Sequence, residues 1–378
     1  MATLQISLDT LEWAANLAGR TIEALAEEVA PKSKREAFMS GEMTAKQAEK
    51  VAAFASVPFG LLFLPKPPER IDPEIPDLRQ TPHPEPLSRD FFAVLRDILK
   101  KADWYSDYVR ELGADRNPYV GRFPFSAQLD SDEVAYDIAK LLAITDEDRK
   151  EARTYELFYS LLVDRVEALG VLVFKSGIVG ASTRRGLSVE EFRGFAIADD
   201  FAPVIFINGK DWDAAWAFTL IHELAHIWVG CGGVSDSTVG INAEDAELEW
   251  FCNRVAAEVL VPKKRFLELW NEHRESPVES LSSRFRVSRL VIARRAVDCR
   301  LLTWDQYNNI AAERPRQRTD SGGDPYRTIP VRNSKKFTRA LLTQAMYGKT
   351  MLRDAASMLH VKPDTIVELA KRALQRGG

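Results

Sequence analysis

The chain has 378 residues, of which 46% are hydrophobic and 28% charged, and its net charge is −4. Such a length and composition allow a sizeable core in two or three domains. No apolar run reaches the roughly 18 uncharged residues of a membrane span, and the first residues lack a signal-peptide pattern. The three cysteines, Cys231, Cys252 and Cys299, are few and odd in number. We therefore expect a cytoplasmic protein without disulfides.

Residues 1–64 form a predicted helical module. Its apolar residues recur at helical spacing in three stretches, Leu8–Ala18, Thr21–Val29 and Thr44–Phe54. Short helices separated by such turns can form a helix-turn-helix. The module is slightly acidic overall, but Lys32, Lys34 and Arg35 cluster near the expected recognition element. DNA binding, protein binding and simple packing therefore all remain open.

Residues 65–87 are rich in proline, which predicts an extended linker. Helices are expected next, at Ser88–Leu112, Ser131–Ala143 and Tyr155–Leu169. The run Gly170–Phe174 is typical of a first strand, and the buried run Pro203–Asn208 of another. We expect that second strand to lie beside a functional helix, with an exposed edge that can hold an extended peptide.

The stretch from Trp212 to Val229 predicts a helix that ends at Gly230. It carries His222, Glu223 and His226 in the pattern H-E-x-x-H. Two histidines four residues apart on a helix point the same way and can bind one metal ion. The glutamate between them can take a proton from a water on that metal. The alternative is that both histidines only pack or cap.

A tetrahedral zinc site needs a third protein ligand and keeps one position for water. A second helix, from an N-cap at Asn242 to about Val261, offers five acids: Glu244, Asp245, Glu247, Glu249 and Glu258. We favour Glu249, because its face of the helix is small and partly buried, with the neighbours Cys252, Asn253 and Ala256. From spacing alone the other acids remain candidates. Cys231, on the loop after the first helix, is not expected to be a ligand.

The remaining chain is basic and helical. Leu281–Ala296 has a helix-turn-helix-like pattern with its turn at Val287 and Ser288. Residues 313–330 are predicted as a flexible linker, and 331–378 as a basic C-terminal module. Within that module, Arg353–Asp364 is again helix-turn-helix-like. Its positive charge makes it the better candidate for contact with nucleic acid or an acidic partner.

Four blocks carry a family resemblance, and they are listed in chain order: Glu191-Phe-Arg-Gly-Phe-Ala196, Pro203-Val-Ile-Phe-Ile-Asn208, Ala217-Phe-Thr-Leu-Ile-His-Glu-Leu-Ala-His226 and Glu249-Trp-Phe-Cys-Asn-Arg-Val-Ala-Ala-Glu-Val-Leu-Val-Pro262. Over roughly residues 150–310 the chain resembles the ImmA/IrrE metallopeptidases. That resemblance implies zinc bound by His222, His226 and Glu249, with Glu223 as the base. Many relatives have an aromatic residue at the position of Val255, which changes packing and not the ligands.

The first 64 residues resemble the Xre-type helix-turn-helix that often precedes such domains, in blocks such as Leu11-Glu-Trp-Ala14 and Gln47-Ala-Glu-Lys-Val-Ala52. The expected fold is mostly α within the α+β class. It has a zincin-like, gluzincin-type core with a small sheet, between helix-turn-helix-like modules.

The resemblance implies a zinc endopeptidase that cleaves a cytoplasmic regulatory protein, either a helix-turn-helix repressor or an antitoxin. The alternative function is a DNA-binding regulator whose peptidase fold acts as a sensor or scaffold. A zinc hydrolase of non-peptide substrates is a weaker third hypothesis.

Overall fold

The computed structural model describes residues 3–17, 20–55, 57, 59–67, 87–235, 243–272, 276–313 and 325–376. Most of these residues are helical, and two small sheets accompany the helices, as predicted for a mostly α member of the α+β class. The chain divides into two compact units, Met1–Glu74 and Ile75–Gly378. We call them the N-terminal unit and the C-terminal unit. Among the described helices, none combines the length and the apolar character that crossing a bilayer requires.

The N-terminal unit packs short helices and a two-stranded antiparallel sheet around one apolar core. Its elements are β1 (Thr3–Gln5), α1 (Leu8–Leu17), α2 (Ile22–Val29), α3 (Arg35–Met39), β2 (Glu42–Thr44) and α4 (Ala45–Ala55), with 3-10 turns at Lys32–Lys34 and Phe59–Phe63. The three predicted helices are confirmed to within one or two residues, except that Ala18 lies outside the described residues.

The expected recognition element of this unit is short. The helix α3 has only five residues and follows a 3-10 turn. Of the three clustered cations, Arg35 pairs with Glu27 at 3.1 Å and is thereby engaged within the unit. DNA binding by the N-terminal unit stays a prediction.

The C-terminal unit has a four-stranded sheet with helices on both faces. Its elements are α5 (Arg89–Glu111), α6 (Ser131–Leu142), α7 (Asp146–Glu151), α8 (Tyr155–Ala168), β3 (Leu172–Ser176), β4 (Gly194–Ile197), β5 (Val204–Asn208), α9 (Asp213–Val229), β6 (Gly233–Ser235), α10 (Ala243–Leu260), α11 (Lys263–Glu272), α12 (Pro277–Phe285), α13 (Arg289–Asp298), α14 (Trp304–Ala312), α15 (Pro325–Arg332), α16 (Lys335–Met346), α17 (Leu352–Leu359) and α18 (Pro363–Arg376).

Capping side chains explain why several predicted helices begin where they do. The Ser88 hydroxyl accepts a hydrogen bond from the Phe91 amide at 3.2 Å, and Thr154 accepts one from Leu157 at 3.1 Å. The helices expected at Ser88–Leu112, Ser131–Ala143 and Tyr155–Leu169 are confirmed as α5, α6 and α8. The predicted turns between α12 and α13 and between α17 and α18 are confirmed as well.

The two predicted linkers lie largely outside the described residues, over 68–86 and 314–324. Residues 325–330, which we expected to belong to the second linker, instead form the first part of α15.

The strand order of the larger sheet is β3-β5-β4-β6, with β3 and β5 parallel and the other pairs antiparallel. The strand predicted at Pro203–Asn208 is therefore central: β5 is hydrogen-bonded to β3 on one side and to β4 on the other. Our expectation that its edge is free to hold a peptide is wrong. A continuous apolar run is typical of such a central strand, but strand order cannot be read from one local run.

Alternate residues of the strands enter two different cores. Val173, Ile205 and Ile207 face α8, α9 and α10. Phe174 and Phe206 face the opposite way, into a core shared with α5 and with α16–α18. The helix α9 is thus held against one face of the sheet, and the C-terminal helices cover the other.

Within the C-terminal unit, polar contacts also connect the start of α16 to α5 and α8. Lys101 of α5 is buried and donates from Nζ to Asp97 Oδ2 at 2.6 Å and to Asn333 Oδ1 at 2.8 Å. Lys335 pairs with Asp164 of α8 at 2.6 Å. The sequence predicted a domain boundary near residue 330. In the structure, residues on both sides of that position share one apolar core.

Lys175 lies on the α9 side of the sheet, and its ammonium is 3.3 Å from the ring centroid of Trp216. Burial lowers the pKa of Lys175 to about 8, although Glu156 and Asp213 oppose that shift. Between pH 8 and 10.5 the unfolded chain binds more protons here than the folded chain, so stability rises with pH in that range. We expect Lys175→Met to increase the free energy of unfolding by about 1 kcal/mol at pH 7, with the lost cation–π contact offsetting part of the gain. Urea unfolding should show this gain shrinking towards pH 10.5; a gain independent of pH would contradict the assignment.

Arg149 joins the C-terminal ends of two helices. Its guanidinium is buried and donates to the carbonyl oxygens of Leu260, at 2.9 Å, and Phe285. Because burial dominates, the pKa of Arg149 falls to about 10, still well above neutrality. We expect Arg149→Ala to lower the free energy of unfolding by about 3 kcal/mol, since two buried carbonyls lose their donor. Urea denaturation measures this, and Arg153→Ala, at an exposed position nearby, should change stability by no more than about 0.5 kcal/mol.

Candidate metal centre

The helix α9 carries both predicted histidines into the protein interior. It has no proline or glycine between Asp213 and Val229, and every residue from Thr219 onwards is buried. Gly230 ends it in a left-handed conformation, with φ +75°, as expected for a glycine cap. Because His222 and His226 are four residues apart, their imidazoles lie on one face and their ring centroids are 4.9 Å apart.

The helix α10 packs along α9 and brings one of its acids to the histidines. Glu249 is fully buried, beside the buried Cys252 and Ala256. Glu247 is exposed, and Glu258 pairs with Arg295 at 2.7 Å. The side chains of Glu244 and Asp245 and the predicted N-cap Asn242 lie outside the described residues. Among the described acids of α10, Glu249 is the one that reaches the imidazoles.

The three side chains converge on one small volume. Their ligand atoms are close together: His222 Nε2 and His226 Nε2 are 3.1 Å apart, and the two Glu249 oxygens lie 3.1 and 3.0 Å from these nitrogens. A tetrahedral zinc ion with bonds of about 2.0–2.1 Å holds its ligand atoms about 3.3 Å apart. The observed separations are close to that value, so the group fits a zinc ion.

Unsatisfied polar atoms support the same assignment. Both Glu249 oxygens are buried, and their contacts with the imidazoles lack the geometry of a hydrogen bond. Buried carboxylate oxygens in native proteins almost always have a donor or a cation as partner. A cation bound between the three side chains would satisfy both oxygens at once.

The electrostatics of the site suit a metal ligand set. Burial opposes ionisation of Glu249, but the adjacent His222 and His226 hold its pKa at about 2, so the carboxylate is charged at neutral pH. Burial lowers the pKa of His226 and favours the neutral imidazole, which is the form that binds metals. Burial acts on His222 too, but the Glu249 carboxylate outweighs it and raises the pKa of His222. A cation would take the place of that proton.

Glu223, the predicted base, is adjacent to His222 on α9 and is fully buried. Its carboxylate lies against the main chain of β4 at Gly194. The structure thus places Glu223 beside the cluster of His222, His226 and Glu249 and not within it.

Three further residues lie at the site, and the sequence reasoning gave none of them a role. Phe218 stacks on the His222 ring at a centroid distance of 6.4 Å, and the Asn253 side chain lies beside the same imidazole. Asn253 is four residues after Glu249, so helical spacing could have indicated it. The third is Gly194, and the available signal was a glycine directly before the apolar run Phe195–Ile197.

The nearby cysteines carry uncharged thiols. Burial raises the pKa values of Cys231 and Cys252, which keeps both thiols protonated at neutral pH. Neither belongs to the ligand cluster found among the described residues.

One comparison with known proteins covers the region that contains these residues. Residues 166–297, from the end of α8 to α13, match the family model of the IrrE N-terminal-like domain, Peptidase_M78. The match supports the resemblance to the ImmA/IrrE family and indicates a metallopeptidase. Residues 333–372 match a domain of unknown function, DUF8813. No curated protein and no solved structure matches the chain.

Proposed function

We propose that this protein is a zinc-dependent endopeptidase with a zincin-like core. The observation that carries the proposal is the buried convergence of His222, His226 and Glu249 to within about 3 Å of one another, with Glu223 alongside. The match of residues 166–297 to a metallopeptidase family model also supports it.

In this mechanism His222, His226 and Glu249 would hold the metal. Zinc, when bound in such a site, lowers the pKa of a water to about 7 and polarises the scissile carbonyl. Glu223 accepts the proton of the attacking water on its carboxylate and then gives it to the nitrogen of the leaving amine. Glu223 is buried, and its carboxylate already lies beside Gly194 of β4 in the absence of substrate.

The proposed substrate is a cytoplasmic regulatory protein, either a helix-turn-helix repressor or an antitoxin. The resemblance to ImmA/IrrE metallopeptidases supports this class. A peptide in extended form would need a strand edge, and β6 rather than β5 supplies it on the β4 side of the described sheet. The terminal helical modules are proposed to contact the substrate protein or DNA.

Metal analysis tests the assignment of the site. After dialysis, the wild-type protein should retain about one zinc ion per chain, and His222→Ala should retain less than about a tenth of that amount. His360→Ala is the matched control, because His360 pairs with Asp97 away from the cluster and should leave the zinc content unchanged. Equal zinc content in all three proteins would refute the assignment.

Co-expression distinguishes the peptidase from the regulator. The protein is produced together with the products of its neighbouring genes, and their amounts are followed with and without a chelator. Loss of one full-length product that depends on metal and on His222 supports the peptidase. Specific binding to the operator of these genes, with no metal-dependent cleavage, would favour the regulator.

A further inference from the structure

Gly194 is the first residue of β4 and is buried beneath α9. It pairs with Ile207 of the central strand on one side and with Ser235 of β6 on the other. Glycine in a strand weakens it by roughly 0.5–1 kcal/mol relative to alanine, so a specific reason for its presence is expected.

Position 194 requires glycine because there is no room for a side chain, and not because of its backbone conformation. Gly194 is absent from the glycines with positive φ, so its torsion angles are accessible to any residue. A Cβ atom at this position would lie 2.8 Å from Glu223 Oε1, 2.9 Å from Thr219 Cγ2 and 2.9 Å from the Phe206 carbonyl oxygen. Ordinary contacts of a Cβ atom begin at 3.4 Å. A single added methyl group therefore cannot be accommodated without movement.

The added atom would crowd three groups, and its shortest contact, at 2.8 Å, would be with the Glu223 carboxylate. Thr219 and Glu223 are one helical turn apart, so both side chains meet the strand at the point where α9 crosses it. The helix itself is held from its other side by α10 and by the contacts of His222 and His226 with Glu249. The end of the Glu223 side chain is the part that can move most easily, and it would have to retreat by about 0.6 Å to regain ordinary contact.

We propose that Gly194 is a positioning residue for Glu223: the missing side chain lets the carboxylate lie against β4, at the place where it serves as the base. This inference rests on the proposed peptidase function. Displacements of about 1 Å in a reacting group can cost about 100-fold in rate. A side chain at 194 should therefore impair the proton transfer and leave the metal ligands in place.

The variant Gly194→Ala tests the proposal against Gly232→Ala. A Cβ atom at Gly232 would lie 2.8 Å from the Ala196 carbonyl oxygen, so it crowds the same strand, and its three nearest atoms all belong to the main chain of residues 196–198 and not to Glu223. We expect both variants to bind one zinc ion with affinity within about threefold of wild type. With a peptide from the cleaved protein, kcat should fall about 100-fold in Gly194→Ala and less than about threefold in Gly232→Ala, with KM changed by less than about threefold in both.

A stability measurement makes the test independent of activity. If the crowding is against Glu223, then Glu223→Ala should relieve part of the stability lost in Gly194→Ala, so the double variant should be more stable than additivity predicts. This comparison also applies if Gly194→Ala alone does not fold, because the double variant should then recover folded protein.

Three results would overturn the proposal: equal kcat values for the two glycine variants, zinc loss parallel to the loss of kcat in Gly194→Ala, or strictly additive stability changes. Failure of the proposed peptidase function would look different. The wild-type protein would then lack zinc or cleave nothing, while the non-additive stability of positions 194 and 223 would persist.

Discussion

Replacing Glu223 with Gln should lower kcat for peptide cleavage by at least about 100-fold, and by up to about 10,000-fold, while zinc stays bound. The amide has nearly the same shape as the carboxylate and fits the same buried position against Gly194. It cannot accept the proton of the attacking water, so the loss should appear in kcat and not in KM. The rate is measured by mass spectrometry of the products from the protein identified by co-expression.

The control for this variant is Glu247→Gln, which changes an exposed acid of the neighbouring helix α10. It should cleave at the wild-type rate. Zinc content and melting temperature should be nearly the same in all three proteins. If Glu223→Gln keeps more than about a tenth of the wild-type rate, Glu223 is not the base.

Substitution of Glu249 should have the largest effect on the affinity of the protein for zinc. Removing an outer-shell partner of a metal ligand typically costs about 10–100-fold in affinity, and removing a ligand should cost more. We therefore expect Glu249→Ala to weaken zinc binding by more than about 100-fold in a competition titration with a coloured chelator. Two buried oxygens that satisfy the positive ion would be lost together.

Glu247→Ala provides the matched comparison, because Glu247 is an acid of the same helix, two residues away and on the exposed side. Its zinc affinity should equal that of the wild type. The reverse result, tight binding without Glu249 and weak binding without Glu247, would mean that the arrangement of α10 differs from the one described.

Local patterns were enough to predict the helices of the site. The uninterrupted run to Val229, the glycine cap at Gly230 and the spacing of His222 and His226 all depend on nearest neighbours along one helix. Glu249 was favoured over Glu247 by the small residues on its face, and the structure brings Glu249 to the imidazoles.

Strand order and shared cores could not be predicted in this way. They depend on contacts between residues far apart in the chain. The run Val204–Asn208 looks equally apolar whether it is central or at an edge, and only its pairing with both β3 and β4 decides the matter. Likewise, the positive charge of the C-terminal segment predicted a surface that contacts nucleic acid or an acidic partner. The structure shows that one side of this segment is buried, through Phe337 and Leu341.

One face of the larger sheet is covered by α16–α18, and this cover has a consequence for shortened forms of the protein. Phe337 of α16 contacts Phe174 of β3, with ring centroids 5.8 Å apart, and it belongs to the same core as Phe206. A chain cut after α14 would leave these phenylalanines of β3 and β5 without their cover from α16, and exposed apolar strands of this kind self-associate. We therefore expect the region that matches the metallopeptidase family to aggregate when it is expressed without α15–α18, which complete its apolar core.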